Sequence, residues 1–253
     1  KIRNWALQYK EDQAGFVKYL LEDQPEPPKY FAMMKKLNKV NRSLLTSVPA
    51  LKELTTEALQ SAMAKGIKLI DTRLKNDFAQ GFIPGSINIQ GNNSFATWAG
   101  WFLKYDEPFI LLANESQLDD LTRKLMRIGL DNIMGYIPST AIFNATGGIL
   151  EKAQLIDLQT TKNMMEDANV EIVDLRGAAE FNAGHIAHAK NVFVGTLPAH
   201  LHEVSKDKKV IIHCQGGDRA AIAYSILAKN GYKNVFNFSG GINEWVNSGE
   251  PVL

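Results

Sequence analysis

The chain has 253 residues, 45% hydrophobic and 22% charged, with a formal net charge of +1. That balance describes a folded, water-exposed protein of about two ordinary domains, and it argues against both a strongly basic nucleic-acid binder and an acidic disordered chain. A single cysteine excludes an internal disulfide framework and fits a reducing cytosol, so the cytoplasm is the expected compartment; no apolar run approaches the roughly 20 residues of a membrane span, and no signal-peptide pattern opens the chain.

Residues 1–47 form a helical and linker segment. Phe16-Val17-Lys18-Tyr19-Leu20-Leu21 has helical spacing, Pro25, Pro27 and Pro28 interrupt it, and Tyr30 to Asn38 resumes it. Two halves follow, 48–148 and 149–253, and they repeat each other. Lys68-Leu69-Ile70-Asp71-Thr72-Arg73 leads into Asp77-Phe78-Ala79-Gln80-Gly81, and Glu171-Ile172-Val173-Asp174-Leu175-Arg176 leads into Glu180-Phe181-Asn182-Ala183-Gly184. Asp71 and Asp174, Arg73 and Arg176, Phe78 and Phe181, and Gly81 and Gly184 keep one spacing of 103 residues without a gap. Downstream, Leu125 to Ile133 parallels Leu227 to Val235 at a spacing of 102, so one residue has been gained or lost between the blocks. Each half reads as strand, helix, strand, helix. That alternation predicts a parallel sheet covered on both faces, with ligands at the carboxyl ends of its strands.

In the second half the apolar run Val210-Ile211-Ile212 ends at Cys214, the sole thiol, and Gln215-Gly216-Gly217-Asp218-Arg219 follows before an apolar helix. A lone intracellular cysteine is often just a small buried hydrophobe. The glycine pair argues otherwise here, since it permits the tight curvature of an anion-cradling loop and packing alone does not ask for it. A thiol at a strand end, facing a Gly-rich turn, a helix N-terminus and an arginine, is favoured as the thiolate, its nucleophilic form. His213 precedes it and points to the opposite face of an extended strand, which makes it a poor base for that thiol and suits it to packing.

Three blocks together resemble the rhodanese family of sulfurtransferases: Asp174-Leu175-Arg176 with Glu180-Phe181-x-x-Gly184-His185-Ile186, the loop from Cys214 to Ala220, and Phe238-Ser239-Gly240-Gly241-Ile242-Asn243-Glu244-Trp245. The resemblance implies an α/β fold of two tandem rhodanese-like domains, each a mainly parallel sheet flanked by helices, after the short helical N-terminal segment. It implies that Cys214 accepts a sulfane sulfur as a persulfide and passes it to a nucleophile. The amides of Gln215, Gly216, Gly217, Asp218 and Arg219 would hold the thiolate and the outer sulfur. Arg219 would either attract an anionic donor or brace the loop, and Asp218 would either point a negative charge toward the mouth or close a turn bond within its own loop. Asp174 and Arg176 would form a structural ion pair, and His185 would fix the loop by a hydrogen bond.

The first half departs from the family pattern. Its nucleophile position falls at Ala113, and Asn114-Glu115-Ser116-Gln117-Leu118-Asp119 offers no thiol, glycine pair or arginine, while Glu115 and Asp119 would repel an anion. It is expected to be catalytically silent and to brace, dock or shape the mouth of the other site. The stretch from Phe16 to Asn38 is similar to the end of the metallo-β-lactamase-fold domain in persulfide dioxygenase and rhodanese fusions, which implies that the chain is the carboxyl-terminal part of such a fusion. Iron then belongs to the missing domain, and this chain needs no cofactor and no metal. His200 and His202 are the one close histidine pair, without a third ligand nearby, and are assigned to a solvated loop.

The resemblance implies small sulfur anions and thiol persulfides as partners, with neither nucleic acid nor membrane. A covalent fusion to a metallo-β-lactamase-fold domain is expected, and a homo-oligomer is compatible with the sequence. A Cys-to-Arg loop also serves phosphatase or arsenate chemistry, but four residues between Cys214 and Arg219 match the sulfur-transferring loop rather than the wider phosphatase cradle. A non-catalytic sulfur carrier or scaffold within a fusion is the alternative from another class.

Overall fold

The computed structural model describes residues 5–22, 24, 27–41 and 47–253. Helices α1 (Gln13–Leu21) and α2 (Tyr30–Leu37) come first. Asp12 starts α1 by accepting a hydrogen bond from the Gly15 N–H at 2.8 Å. Pro27 and Pro28 stand just ahead of α2, where a missing N–H breaks no helical bond, and Pro25 lies outside the described residues.

The first half then runs α3 (Thr56–Ala64), β1 (Lys68–Asp71), α4 (Lys75–Gln80), β2 (Ile87–Asn88), α5 (Phe95–Phe102), β3 (Phe109–Ala113), α6 (Leu118–Arg127) and β4 (Ile133–Pro138). The second half runs β5 (Leu155–Ile156), α7 (Leu158–Met165), β6 (Val170–Asp174), α8 (Ala178–Asn182), β7 (Lys190–Asn191), β8 (Lys209–His213), α9 (Asp218–Lys229), β9 (Val235–Phe238) and α10 (Gly241–Asn247). Among the described residues the strands form two sheets, ordered β2-β1-β3-β4 and β5-β9-β8-β6-β7, and every pairing between them is parallel. The central strands are apolar runs because helices cover both faces: Phe109 to Ala113 and Val210 to His213 are buried throughout.

The repeat extends to the edges of both sheets. A parallel bridge between Glu53 and Tyr136 lies beside β4 as β5 lies beside β9, where Ile156 opposes Phe238. Phe82 exchanges backbone hydrogen bonds with Glu151 at 2.8 and 3.0 Å, and His185 does the same with Leu253 at 3.1 and 2.9 Å. Each half therefore ties the turn after its second helix to the segment of chain that leaves it.

Helix α9 joins the halves. Its residues from Ala220 to Leu227 are all buried, more than one amphipathic face would supply, because one side packs on its own sheet and the other meets β2 and α4. Three alanines allow the close approach, and the Ser225 Oγ accepts the Asn88 N–H at 3.1 Å across the boundary. One hydrophobic cluster draws on both halves, including Phe82, Trp101, Val194 and Tyr224. The Trp101 ring stands edge-on to Phe193 at 5.3 Å.

Candidate active site

Cys214 follows the last residue of β8 and is 1% exposed. The chain turns sharply to reach α9, and Gly217 makes the turn at φ +98°, a backbone region that side chains rarely adopt. Its N–H donates to Cys214 Sγ at 3.1 Å. Of the amides between Gln215 and Arg219, this is the one that reaches the sulfur among the described residues.

The outer side of the loop is latched by α10. Ile242 N–H donates to Cys214 O at 2.9 Å, and Asn243 N–H donates to Gln215 O at 3.1 Å. Gly241 makes this approach possible: at φ +61°, a Cβ on it would lie 2.3 Å from Cys214 O and 2.8 Å from Gln215 O. Gly241 is thus a packing requirement of the cysteine loop. A cavity of about 410 Å³ opens over the sulfur, lined by Cys214, Gln215, Gly216, Asp218, Arg219 and Asn243 of the second half and by Ser94 and Trp98 of the first.

Arg219 lines this cavity and is clamped by Glu180 of α8, with Nη1 and Nη2 donating to the two carboxylate oxygens at 2.5 and 2.8 Å. Burial works against the arginine's charge, but Glu180 and Cys214 outweigh it and hold the guanidinium charged. Its hydrogen bonds to Arg219 keep the Glu180 carboxyl below its ordinary range. Of the two roles left open for Arg219, the brace is present in the geometry: the residue ties the loop to α8, and its charge is already partly answered.

Asp174 and Arg176 form a buried pair. The Arg176 Nη2 donates to Asp174 Oδ2 at 2.6 Å and to Gly184 O at 2.8 Å. Arg73 makes the same two bonds, to Asp71 Oδ2 at 2.6 Å and Gly81 O at 2.8 Å, in the half without a thiol. A unit that recurs without the cysteine belongs to the fold. His185 stacks on Phe181 at 3.8 Å, and its Nδ1 lies 3.0 Å from Phe181 O, so it secures the turn after α8 rather than the cysteine loop. Phe82 stacks on Phe78 in the corresponding place. His213 is wholly buried, with Nδ1 3.3 Å from Cys214 O and Nε2 3.8 Å from Asp174 Oδ2, and burial pushes its pKa down.

Asp218 does not make the turn bond expected of it. Standing at the start of α9, on the side that faces the first half, it projects across the boundary: Oδ1 lies 3.1 Å from Lys75 Nζ, and Oδ2 accepts from Asn92 Nδ2 at 3.1 Å. Lys75 Nζ also donates to Gly216 O. His200 stands between two short 3-10 turns and His202 lies in the second, with His200 Nδ1 2.6 Å from Glu203 Oε1. Among the described residues no group of three or more His, Cys, Asp or Glu side chains is placed to hold a metal ion.

In the first half Ala113 ends β3 in the position of the cysteine and is fully buried. Asn114 caps the following turn, accepting from Ser116 N–H at 3.0 Å, so a 3-10 turn replaces the glycine loop.

The sequence model of the Rhodanese-like domain matches residues 55–151 and 157–248, which is one match for each sheet. The chain belongs to the rhodanese-like domain family. A "Sulfurtransferase" of Allochromatium vinosum is 33% identical over 99 residues, spanning 39% of this chain and 92% of that protein. A "tRNA uridine(34) hydroxylase" of Buchnera aphidicola is 33% identical over 97 residues, spanning 36% of this chain and 31% of that protein. Among solved structures, a metallo-β-lactamase from Staphylococcus aureus is 33% identical at a TM-score of 0.39, covering 49% of this chain and 34% of that one.

With both rhodanese-like domains in place, the residues that sequence reasoning missed fall into two groups. Glu180 was visible in the Glu-Phe block, but nothing in the sequence paired it with Arg219, 39 positions away. Lys75, Asn92, Ser94 and Trp98 belong to the other domain and reach the loop only because the two domains dock through α9. No local pattern marks them.

Proposed function

We propose that the chain is a sulfurtransferase that carries sulfane sulfur on Cys214, with the second domain active and the first catalytically silent. Family membership and the sulfurtransferase relative support the reaction class. The observation that carries the site is the Cys214 sulfur under its cavity, held by the Gly217 N–H in a loop that α10 latches from outside.

In the proposed reaction the Cys214 thiolate attacks the outer sulfur of thiosulfate. The S–S bond of the donor breaks, sulfite leaves with the bonding pair, and Cys214 holds the transferred sulfur as a persulfide anion. With a low-molecular-weight persulfide R–S–SH the leaving group is R–S⁻, and the proton stays with the transferred sulfur. Sulfite or a thiolate then attacks that outer sulfur, and the Cys214 thiolate returns. Every bond made or broken joins two sulfur atoms, so the transfer needs no cofactor. A sulfur with so little exposure favours small anions and thiol persulfides over a folded protein as donor. The same reading takes the segment from Phe16 to Asn38 as the tail of a metallo-β-lactamase-fold domain in a fusion, on its sequence resemblance.

Steady-state transfer from thiosulfate to cyanide, and from a thiol persulfide to sulfite, tests the proposal. Wild type is expected to turn over and to gain the mass of one sulfur atom on Cys214. Cys214→Ser keeps an acceptor for the Gly217 N–H and should preserve the fold, yet lose transfer by more than about a thousandfold. Turnover retained in that variant would refute the assignment, and persulfide formation without turnover would favour the carrier reading.

A further inference from the structure

The peptide unit between Gly216 and Gly217 touches both domains. Its carbonyl oxygen accepts a hydrogen bond from Lys75 Nζ of the first domain, and its N–H donates to Cys214 Sγ at 3.1 Å. In a planar trans peptide the carbonyl and the N–H point in opposite directions, so fixing one end aims the other. This plane has glycines on both sides. The ψ of Gly216 and the φ of Gly217 turn without side-chain hindrance, and the loop by itself leaves its orientation soft.

Lys75 is itself held in place. It opens α4, its backbone N–H donates to Gln90 Oε1 at 2.9 Å, Asp218 Oδ1 lies 3.1 Å from its ammonium, and its side chain is 28% exposed. A Cβ on Gly217 would lie 3.0 Å from Nζ, so the contact is close packing rather than a distant charge. A cation on the carbonyl also polarises the amide and strengthens the hydrogen bond its N–H gives to an anion.

We propose that Lys75, carried by the domain without a thiol, is a positioning residue for Cys214: it grips Gly216 O and so aims the Gly217 N–H at the sulfur, favouring the thiolate and the persulfide anion. The proposal rests on the reading of Cys214 as a reactive thiol. The other charged groups around the loop are Arg219 with Glu180, Asp218 beside Lys75, and His213 with the Asp174 and Arg176 pair beneath.

The test is the pH profile of iodoacetamide alkylation, which reports on one thiol because the chain has one. Lys75→Met keeps the apolar stem and removes the donor. It should slow alkylation about three- to tenfold below pH 7 and move the profile to higher pH, while Lys75→Arg recovers most of the rate. Loss of Lys75 also leaves Asp218 unanswered, so Asp218→Asn is added to separate the effects. If Lys75 aims the amide, the double variant Lys75→Met/Asp218→Asn stays slow; recovery of the wild-type rate would reduce Lys75 to a counter-ion and overturn the proposal. A Lys75→Met profile that superimposes on wild type would overturn it as well. Should Lys75→Met not fold, Lys75→Ala, which also removes the donor, takes its place with the same two outcomes. Alkylation does not depend on sulfur transfer. A shifted profile in a protein that transfers no sulfur would sink the proposed function and leave Lys75 standing, whereas wild-type transfer with an unshifted variant would sink Lys75 alone.

Discussion

Glu180 answers the charge of Arg219, the arginine that the cysteine loop would otherwise offer to an incoming anion. The pair is bidentate, but the Glu180 side chain is 41% exposed, so solvent limits its worth to no more than about 1 kcal/mol. The hydrogen bonds to Arg219 lower the Glu180 pKa in the fold. A carboxyl with a lowered folded value adds stability above its unfolded value and loses it as pH falls through the folded one. The difference in urea midpoint between wild type and Glu180→Gln should therefore be present at neutral pH and close as pH falls below the usual glutamate range. A gap that persists in acid would mean that the carboxylate charge is not what stabilises the pair. The cysteine, the glycines and Arg219 were legible in the sequence because their order along the chain is their order around the loop. The partner of Arg219 was not, because α8 meets the loop only through the fold.

At the scale of elements, the cysteine loop is a product of three of them: β8 delivers the thiol, α9 begins at its far side, and α10 presses two N–H groups onto its carbonyls. The Gly240-Gly241 block was recognisable as part of a family signature, but the physical task of Gly241 appears only when α10 is seen against the loop. Gly241→Ala would place a methyl against Cys214 O in a left-handed backbone conformation. It should cost about 2 kcal/mol or more and depress persulfide formation with it, as read by urea unfolding and by mass gain on Cys214. An unchanged midpoint would mean that the loop does not depend on this latch. The Asp-x-Arg units show the converse, since the same contacts recur in both domains and their presence in the one without a thiol separates fold from chemistry.

At the scale of the whole molecule, the two domains share their strand order, their edge bridges and their closing backbone pairs, and α9 is buried between them. Ser225 supplies the acceptor for a buried N–H of Asn88 at that boundary. Ser225→Ala leaves that N–H unpaired and should destabilise the protein by about 1–3 kcal/mol, with faster hydrogen exchange at Asn88; full wild-type stability would indicate that the boundary adapts. The sequence by itself determined the repeat, the parallel α/β halves, the family, and which half carries the thiol, because each of these is written in local pattern: apolar runs, glycines at tight turns, and residues at fixed spacing. Only the tertiary structure decided that Asp218 reaches outward, that Glu180 holds Arg219, and that Lys75, Ser94 and Trp98 of the half without a thiol meet the cysteine loop and its cavity. The reach of Asp218 and the approach of Lys75, Ser94 and Trp98 depend on how the two sheets dock around one doubly buried helix, and the Glu180–Arg219 pair on how α8 packs within the second half; both are set by shape complementarity between distant residues rather than by periodicity along the chain.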